Sequence, residues 1–248
     1  MQDKHRPYYL IIGLGTSGIS MAKFLNSKGY DVIATDIDDS KAMVAKELNN
    51  LGIKTQIGFH DQKTFNHAKA IIPSPGIPLN NKFIKTALNN GVNLTGELDI
   101  FTKYNDLPVI AITGTNGKTT VTTLIGNILE QSRMNPFVGG NIGIPLVEHL
   151  MSDKTLNKKE KIINKERHGN SIATAKEIIV AEISSFQLDI SKNFKPDIGV
   201  LLNISQDHLD RYEDYADYTN SKWSIFKNQN SKDSAVINAS IDSFEKKS

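Results

Sequence analysis

The segment from Val109 to Thr120 constrains the fold of this chain more than any other. It opens with an apolar run at 109–112, which predicts a buried β-strand. A loop that combines two glycines with a lysine and three threonines follows, Gly114-Thr115-Asn116-Gly117-Lys118-Thr119-Thr120. A helix is predicted next, so the N–H groups of the loop and the helix dipole converge where a phosphate group can bind.

The chemistry of this loop fits nucleotide phosphates. Lys118 would supply a mobile positive charge, and the Thr119 hydroxyl is a candidate ligand for Mg²⁺. The sequence departs from the full GxxxxGK[ST] pattern, because Ile112 occupies the position of the first glycine. A fortuitous turn between a strand and a helix is the alternative interpretation.

The order of apolar and helical segments predicts an α/β fold with parallel sheets. In the first hundred residues we predict strands at 8–12, 32–35 and 70–72 and helices at 19–27 and 41–49. A turn-like break at 106–108 precedes further strands at 109–112, 178–182, 198–202 and 235–238. We therefore predict a Rossmann-like parallel-sheet domain over 1–106 and a phosphate-loop α/β domain over 107–248.

A second glycine motif lies near the start of the chain. Gly13-Leu14-Gly15-Thr16-Ser17-Gly18 follows a predicted strand and opens a helix, and Asp36 ends the next strand. This arrangement is typical of Rossmann-type nucleotide sites, in which the acidic residue accepts a hydrogen bond from a ribose hydroxyl. The motif does not distinguish NAD from other nucleotides, and a tight turn without a ligand is the alternative. A dehydrogenase would use this motif and have no use for the phosphate loop.

Polar residues also follow two later predicted strands. Glu182 ends an apolar run, where a carboxylate beside the phosphate loop could hold Mg²⁺. His208 belongs to the cluster NISQDHLDRY at 203–212, and it could bind metal or substrate. Lys222 lies on a predicted amphipathic helix. The alternatives are a surface carboxylate, a structural histidine and a solvated surface lysine.

Composition excludes several classes of protein. Across 248 residues, 29 basic and 27 acidic side chains leave a net charge of +2, which does not suit a dedicated nucleic-acid binder and favours a small-molecule partner. The chain has no cysteine, so it can hold neither a disulfide, a thiolate zinc site nor a cysteine nucleophile.

The start of the chain and the segment 151–176 carry information beyond these motifs. The first apolar run is too short for a signal or membrane segment, so we expect a cytoplasmic protein. Residues 151–176 carry seven basic and three acidic residues, which predicts a lysine-rich exposed insertion.

Four motifs, taken in order, resemble the central ATPase domain of the Mur ligases. They are GTNGKTT, EISSFQL, NISQDHLDRY and the lysine of YTNSKWSIF. Other segments resemble the members of that family that add D-glutamate, namely GLGTSGIS with Asp36, SPGIP at 74–78, GEL at 96–98 and GNIGIP at 140–145. The resemblance covers nearly all of the chain except the insertion and the last few residues.

The resemblance implies an ATP-dependent ligase of peptidoglycan precursor synthesis. Such an enzyme joins D-glutamate to UDP-N-acetylmuramoyl-L-alanine through an acyl-phosphate intermediate, with ATP and Mg²⁺ as cofactors. The first domain would bind the UDP group of the substrate, and the phosphate loop would bind ATP. We expect a monomer that contacts neither nucleic acid nor membrane.

The resemblance also implies roles for individual residues. ATP would bind Gly114, Thr115, Asn116, Gly117, Lys118, Thr119 and Thr120. The UDP-linked substrate would contact Gly15, Thr16, Asp36, Ser74, Gly76, Asn141 and His208. The catalytic residues would be Lys118, Glu182, His208 and Lys222. One Mg²⁺ would be held by Thr119 with Glu182, and a second by His208 with a carbamylated Lys222.

The resemblance leaves two points open. Members of the family have a third domain that supplies most of the amino-acid-binding residues, and we expect it to be missing after Asn238, with the central sheet incomplete. We therefore expect the chain to bind the UDP-linked substrate but to ligate poorly alone. The alternatives are a nicotinamide-dependent Rossmann oxidoreductase and a non-catalytic nucleotide-binding remnant of a Mur ligase.

Overall fold

The fold consists of two α/β units, each built on a five-stranded parallel sheet. The computed structural model describes residues 6–152, 176–205, 212 and 214–241. Contacts divide the chain into Met1–Ile100 and Phe101–Ser248. The division falls within the helix Glu97–Tyr104, a few residues before the predicted boundary at 106. Most of the predicted insertion, 153–175, lies outside the described residues.

The sheet of the first unit has the strand order β3-β2-β1-β4-β5. Its strands are β1 (Tyr8–Ile12), β2 (Asp31–Asp36), β3 (Lys54–Ile57), β4 (Ala70–Pro73) and β5 (Asn93–Leu94). Its helices are α1 (Thr16–Ser27), α2 (Ala42–Asn50), α3 (Gln62–Asn66) and α4 (Lys82–Asn89), and α5 (Glu97–Tyr104) follows. β1 is central because its apolar run is buried between two neighbours, with Leu10 paired to Ile33 and to Ile71.

The sheet of the second unit has the strand order β10-β9-β6-β8-β7. Its strands are β6 (Val109–Thr113), β7 (Asn135–Gly140), β8 (Glu177–Glu182), β9 (Ile198–Leu201) and β10 (Ser234–Ile237). Its helices are α6 (Lys118–Gln131), α7 (Leu146–Ser152), α8 (Ser185–Ile190) and α9 (Tyr215–Trp223). Because every pairing is parallel, the loops after β6, β8 and β9 start from the same edge of the sheet.

The predicted α/β class with two parallel sheets is confirmed. The strands that sequence patterns identify are the apolar ones, and β6 and β8 are buried along almost their full length. Three strands escaped prediction, namely β3, β5 and β7. Their sequences, KTQI, NL and NPFVGG, carry too few apolar residues to form a recognisable run.

Gly140, the last residue of β7, lets that strand approach β8 closely. Gly140 has a φ of +114°, and a Cβ atom there would lie 2.3 Å from the carbonyl oxygen of Glu182. The same carbonyl accepts a hydrogen bond from the Asn141 N–H at 2.8 Å. A side chain at Gly140 would therefore push apart the two segments that carry Asn141 and Glu182.

We predict that Gly140→Ala destabilises the second unit far more than Gly143→Ala does. Both residues have positive φ, but a Cβ atom at Gly143 meets nothing within 4 Å. Gly143→Ala should therefore cost only the backbone term of about 1–2 kcal/mol, whereas Gly140→Ala adds a clash and should cost about 3 kcal/mol or more. Urea unfolding followed by the fluorescence of Trp223, the single tryptophan, measures both costs. Equal losses would contradict the close approach.

His60 is a half-buried histidine over the α3 and α4 side of the first sheet. Its Nδ1 atom lies 2.9 Å from Thr35 Oγ1, and its ring makes edge contacts with Phe65 and Phe83. Burial lowers the pKa of His60 below its usual 6.5, although the nearby Asp36 carboxylate acts in the opposite direction. Below pH 6.5 the unfolded chain therefore binds a proton at this position more readily than the folded protein does.

We predict that the first unit loses stability as the pH falls through about 6.5. His60→Phe keeps an aromatic ring beside Phe65 and Phe83 but cannot titrate. The loss of the Thr35 hydrogen bond should lower the stability at neutral pH, and the slope of stability against pH should become shallower because position 60 no longer titrates. Calorimetric unfolding between about pH 8 and 5.5 gives both slopes. Parallel curves for the two proteins would show that His60 does not contribute.

Candidate functional site

The first turn of α6, at the end of the loop that follows β6, presents a cradle of backbone N–H groups. Gly117, which precedes the helix, has a φ of +81°, in the left-handed region that favours glycine. Gly114 is tightly confined, since a Cβ atom there would lie 3.1 Å from the Cβ of Leu202. No side chain caps α6, so the N–H groups of its first turn lack both a helical acceptor and a side-chain cap.

Lys118 folds back over this loop. Its Nζ atom donates hydrogen bonds to the carbonyl oxygens of Gly114 at 3.0 Å and Thr115 at 2.9 Å. A flexible ammonium group therefore lies against the cradle, where it can balance the charge of an anion bound by the backbone.

Glu182 connects three of the predicted site residues. It ends β8 with 1% of its surface exposed, and its two carboxylate oxygens accept different hydrogen bonds. Thr119 Oγ1 donates to Oε2 at 2.8 Å, and Asn141 Nδ2 donates to Oε1 at 3.1 Å. The alternative of a surface carboxylate is therefore wrong, since the side chain is buried. The two hydrogen bonds offset the cost of removing the carboxylate from water.

Lys222 is buried in the same region. It lies on α9 with 2% of its surface exposed, and its Nζ atom donates to the Gly114 carbonyl oxygen at 2.9 Å. Two lysines that are far apart in sequence thus contact one carbonyl group. The interpretation of Lys222 as a solvated surface residue is wrong.

Tyr218 is a residue of this region that the sequence analysis did not select. It is 1% exposed, its hydroxyl lies 3.1 Å from Thr115 Oγ1, and Lys222 Nζ lies 4.6 Å from its ring centroid. The signal that could have identified it is the four-residue spacing to Lys222, which places both on one face of a helix. The apolar periodicity of that helix indicated only packing on the core.

One predicted site residue, His208, lies outside the described residues. Within the described ranges, no three histidine, aspartate or glutamate side chains come together as a metal-binding group. Among the predicted metal ligands, the structure brings together the oxygen atoms of Thr119 and Glu182.

The glycine loop of the first unit is held by two of its predicted site residues. The Asp36 carboxylate accepts hydrogen bonds from the N–H groups of Leu14 at 2.6 Å and Asp38 at 3.0 Å. The Ser74 hydroxyl donates to the Gly13 carbonyl at 2.8 Å. Asp36 and Ser74 therefore fix the shape of the loop, in addition to any contact with a ligand.

The remaining predicted residues of the first unit line the same edge of its sheet. Gly15 immediately precedes α1, and Thr16 is the first residue of that helix, again without a side-chain cap. Gly76 follows β4, and a Cβ atom there would meet nothing within 4 Å.

None of the helices in the described ranges combines the length and apolar character needed to cross a membrane.

Sequence comparisons give one consistent result. The chain is 40% identical over 232 residues to the UDP-N-acetylmuramoylalanine–D-glutamate ligase of Pelobacter propionicus. The match covers 93% of this chain and 48% of that protein, so the chain spans about half the length of this relative.

Comparison with solved structures identifies the same fold. A crystal structure of UDP-N-acetylmuramate:L-alanyl-gamma-D-glutamyl-meso-diaminopimelate ligase from Neisseria meningitides matches with a TM-score of 0.57 at 19% identity, over 97% of this chain and 74% of that one. UDP-N-acetylmuramate-alanine ligase from Thermotoga maritima matches with a TM-score of 0.52 at 23% identity, over 95% and 50%.

Family models cover most of the chain. The model of the MurD-like N-terminal domain of Mur ligases matches residues 8–96. The model of the Mur ligase middle domain matches residues 112–248, which is more than half of the sequence. The chain belongs to the Mur ligase family.

Proposed function

We propose that this chain takes part in the ATP-dependent joining of D-glutamate to UDP-N-acetylmuramoyl-L-alanine, a step in the synthesis of peptidoglycan precursors. The first unit would bind the UDP group, and the second unit would bind ATP. The proposal is supported by the 40% identity to a relative named for this reaction, of which the chain covers 48%. Nothing in the comparisons favours the nicotinamide-dependent alternative.

The observation that carries the ATP-binding part is the contact between Thr119 and Glu182. The loop, the start of α6 and the end of β8 bring a hydroxyl and a buried carboxylate to within 2.8 Å beside an N–H cradle. Lys118 provides positive charge at the same loop. Backbone donors, a cation and adjacent oxygen ligands are the elements that bind a nucleotide polyphosphate with its metal ion.

The Thr119 and Glu182 oxygens fit a Mg²⁺ site. Mg²⁺ prefers oxygen ligands. The hydrogen bond between Thr119 Oγ1 and Glu182 Oε2 brings two such oxygen atoms together. The bound ion would neutralise phosphate charge, and the hydrogen bond from Asn141 would keep the carboxylate in place.

We also propose that Lys222 is carbamylated in the active ligase and, with His208, serves a second Mg²⁺. Carbamylation would convert the ammonium group into a carboxylate-like oxygen ligand, which suits Mg²⁺. The burial of Lys222 supports a role in the site, since it places the Lys222 Nζ atom 2.9 Å from the Gly114 carbonyl oxygen of the phosphate loop.

In the first unit, we propose that Gly15, Thr16, Asp36, Ser74 and Gly76 surround the UDP group of the substrate. The N-terminus of α1, which has no side-chain cap, supports this assignment, because its N–H groups can bind a diphosphate. For the second unit, we also propose Asn141 as a substrate-binding residue.

We predict that Lys118→Ala weakens binding of Mg-ADP about 10- to 100-fold, the effect expected on losing one charged hydrogen bond. The matched control is Lys232→Ala, which removes an equal charge from an exposed turn before β10 and should leave the affinity unchanged. Titration calorimetry on the full chain measures both dissociation constants. Equal affinities for the two variants would contradict the assignment of Lys118 to the ATP site.

We predict that Asp36→Ala weakens binding of UDP-N-acetylmuramoyl-L-alanine at least about tenfold, because the glycine loop loses the hydrogen bond from the Leu14 N–H group to the Asp36 carboxylate. Binding of Mg-ADP should not change. Asp31→Ala is the control, because Asp31 is an exposed aspartate at the opposite end of β2. Absence of heat on titrating the unmodified chain with this nucleotide would refute the proposed substrate, and enhancement of NADH fluorescence would favour the oxidoreductase instead.

A further inference from the structure

The phosphate loop is also contacted by Asn203, which follows the neighbouring strand β9. Its Oδ1 atom accepts hydrogen bonds from the N–H groups of Asn116 at 2.8 Å and Thr115 at 3.1 Å. Its Nδ2 atom donates to the Asn116 carbonyl oxygen at 2.9 Å. One side-chain amide thus makes three hydrogen bonds to a loop that lies 87 residues away in sequence.

These bonds determine which way two peptide groups of the loop face. The N–H groups of Thr115 and Asn116 are directed at Asn203, so they are not presented to an incoming ligand. The Thr115 N–H also donates to the backbone carbonyl of Asn203 at 3.0 Å. The donors left for a phosphate group include those at the start of α6, where no side chain caps the helix.

The bonding pattern requires an amide side chain. An asparagine offers one acceptor and one donor group in a plane, which matches the N–H and C=O groups of a peptide unit. The backbone of Asn203 also passes close to the loop. A Cβ atom placed at Gly114 would lie 3.3 Å from both the backbone N atom and the backbone O atom of Asn203. A short side chain at this position therefore reaches Thr115 and Asn116 directly.

We propose that Asn203 is a positioning residue, which holds the phosphate loop in its binding conformation by turning the N–H groups of Thr115 and Asn116 away from the ligand. The conformational part of this inference is independent of the ligand. The part concerning nucleotide affinity rests on the proposed function, in which the second unit binds ATP.

The test is amide hydrogen exchange in the full, ligand-free chain, measured by NMR on Asn203→Ala. The Asn116 N–H is bonded to the side chain that this substitution removes, so its exchange should accelerate at least about tenfold. The Thr115 N–H keeps the Asn203 carbonyl as acceptor and should accelerate much less. A residue with only a general structural role would not produce this difference between adjacent amides.

Asn238→Ala is the matched control. Asn238 follows β10, and its side chain donates to the Leu202 carbonyl at 3.0 Å, one strand further from the loop. Its removal should leave the exchange of Thr115 and Asn116 unchanged. Calorimetry with Mg-ADP should show affinity at least about tenfold weaker for Asn203→Ala and unchanged for Asn238→Ala.

A second variant, Asn203→Asp, keeps the two acceptor bonds but lacks the donor to the Asn116 carbonyl. The exchange rate at Asn116 should then lie between that of the unmodified chain and that of Asn203→Ala, and this variant decides the question if the alanine variant does not fold.

An exchange rate at Asn116 that is the same in the variants as in the unmodified chain would overturn the proposal. Faster exchange with unchanged Mg-ADP affinity would overturn its functional part. If the unmodified chain binds no Mg-ADP, the proposed function fails while the exchange data still test Asn203.

Discussion

The site of the second unit depends on the parallel pairing of β6 with β8 on one side and β9 on the other. Ile112 is in register with both Glu182 and Val200, so the three strands end at nearly the same level. Hydrogen bonds from Ile183 N–H to Ile112 and from Leu202 N–H to Thr113 continue the pairing into the loops. Three distant stretches of sequence therefore deliver their polar residues to one edge of the sheet.

The charged groups at this edge are stabilised by hydrogen bonds to neutral groups. The buried Glu182 carboxylate is stabilised by donors from Thr119 and Asn141, which offset the cost of removing it from water. Lys118 and Lys222 both donate to the Gly114 carbonyl, which has two lone pairs and can accept from both. The loop thus connects the positive groups of the site, and the end of β8 carries its negative group.

Local sequence patterns predicted much of this arrangement. Apolar runs identified β6, β8 and β9, and the glycine-lysine motif identified Lys118 and Thr119. The contacts of Tyr218 and Asn203 with the phosphate loop were not predictable, because they join segments that are 103 and 87 residues apart, respectively. The polar edge strand β3 and the glycine-containing β7 were missed for a different reason, since neither forms an apolar run.

The phosphate loop has a further property that follows from its hydrogen bonds. The carbonyl groups of all four residues between β6 and α6 already accept a hydrogen bond from the protein. Those of Gly114 and Thr115 accept from Lys118, that of Asn116 from Asn203, and that of Gly117 from the Val121 N–H. An approaching anion therefore meets peptide groups whose orientation is already fixed, so binding requires little dipolar reorganisation.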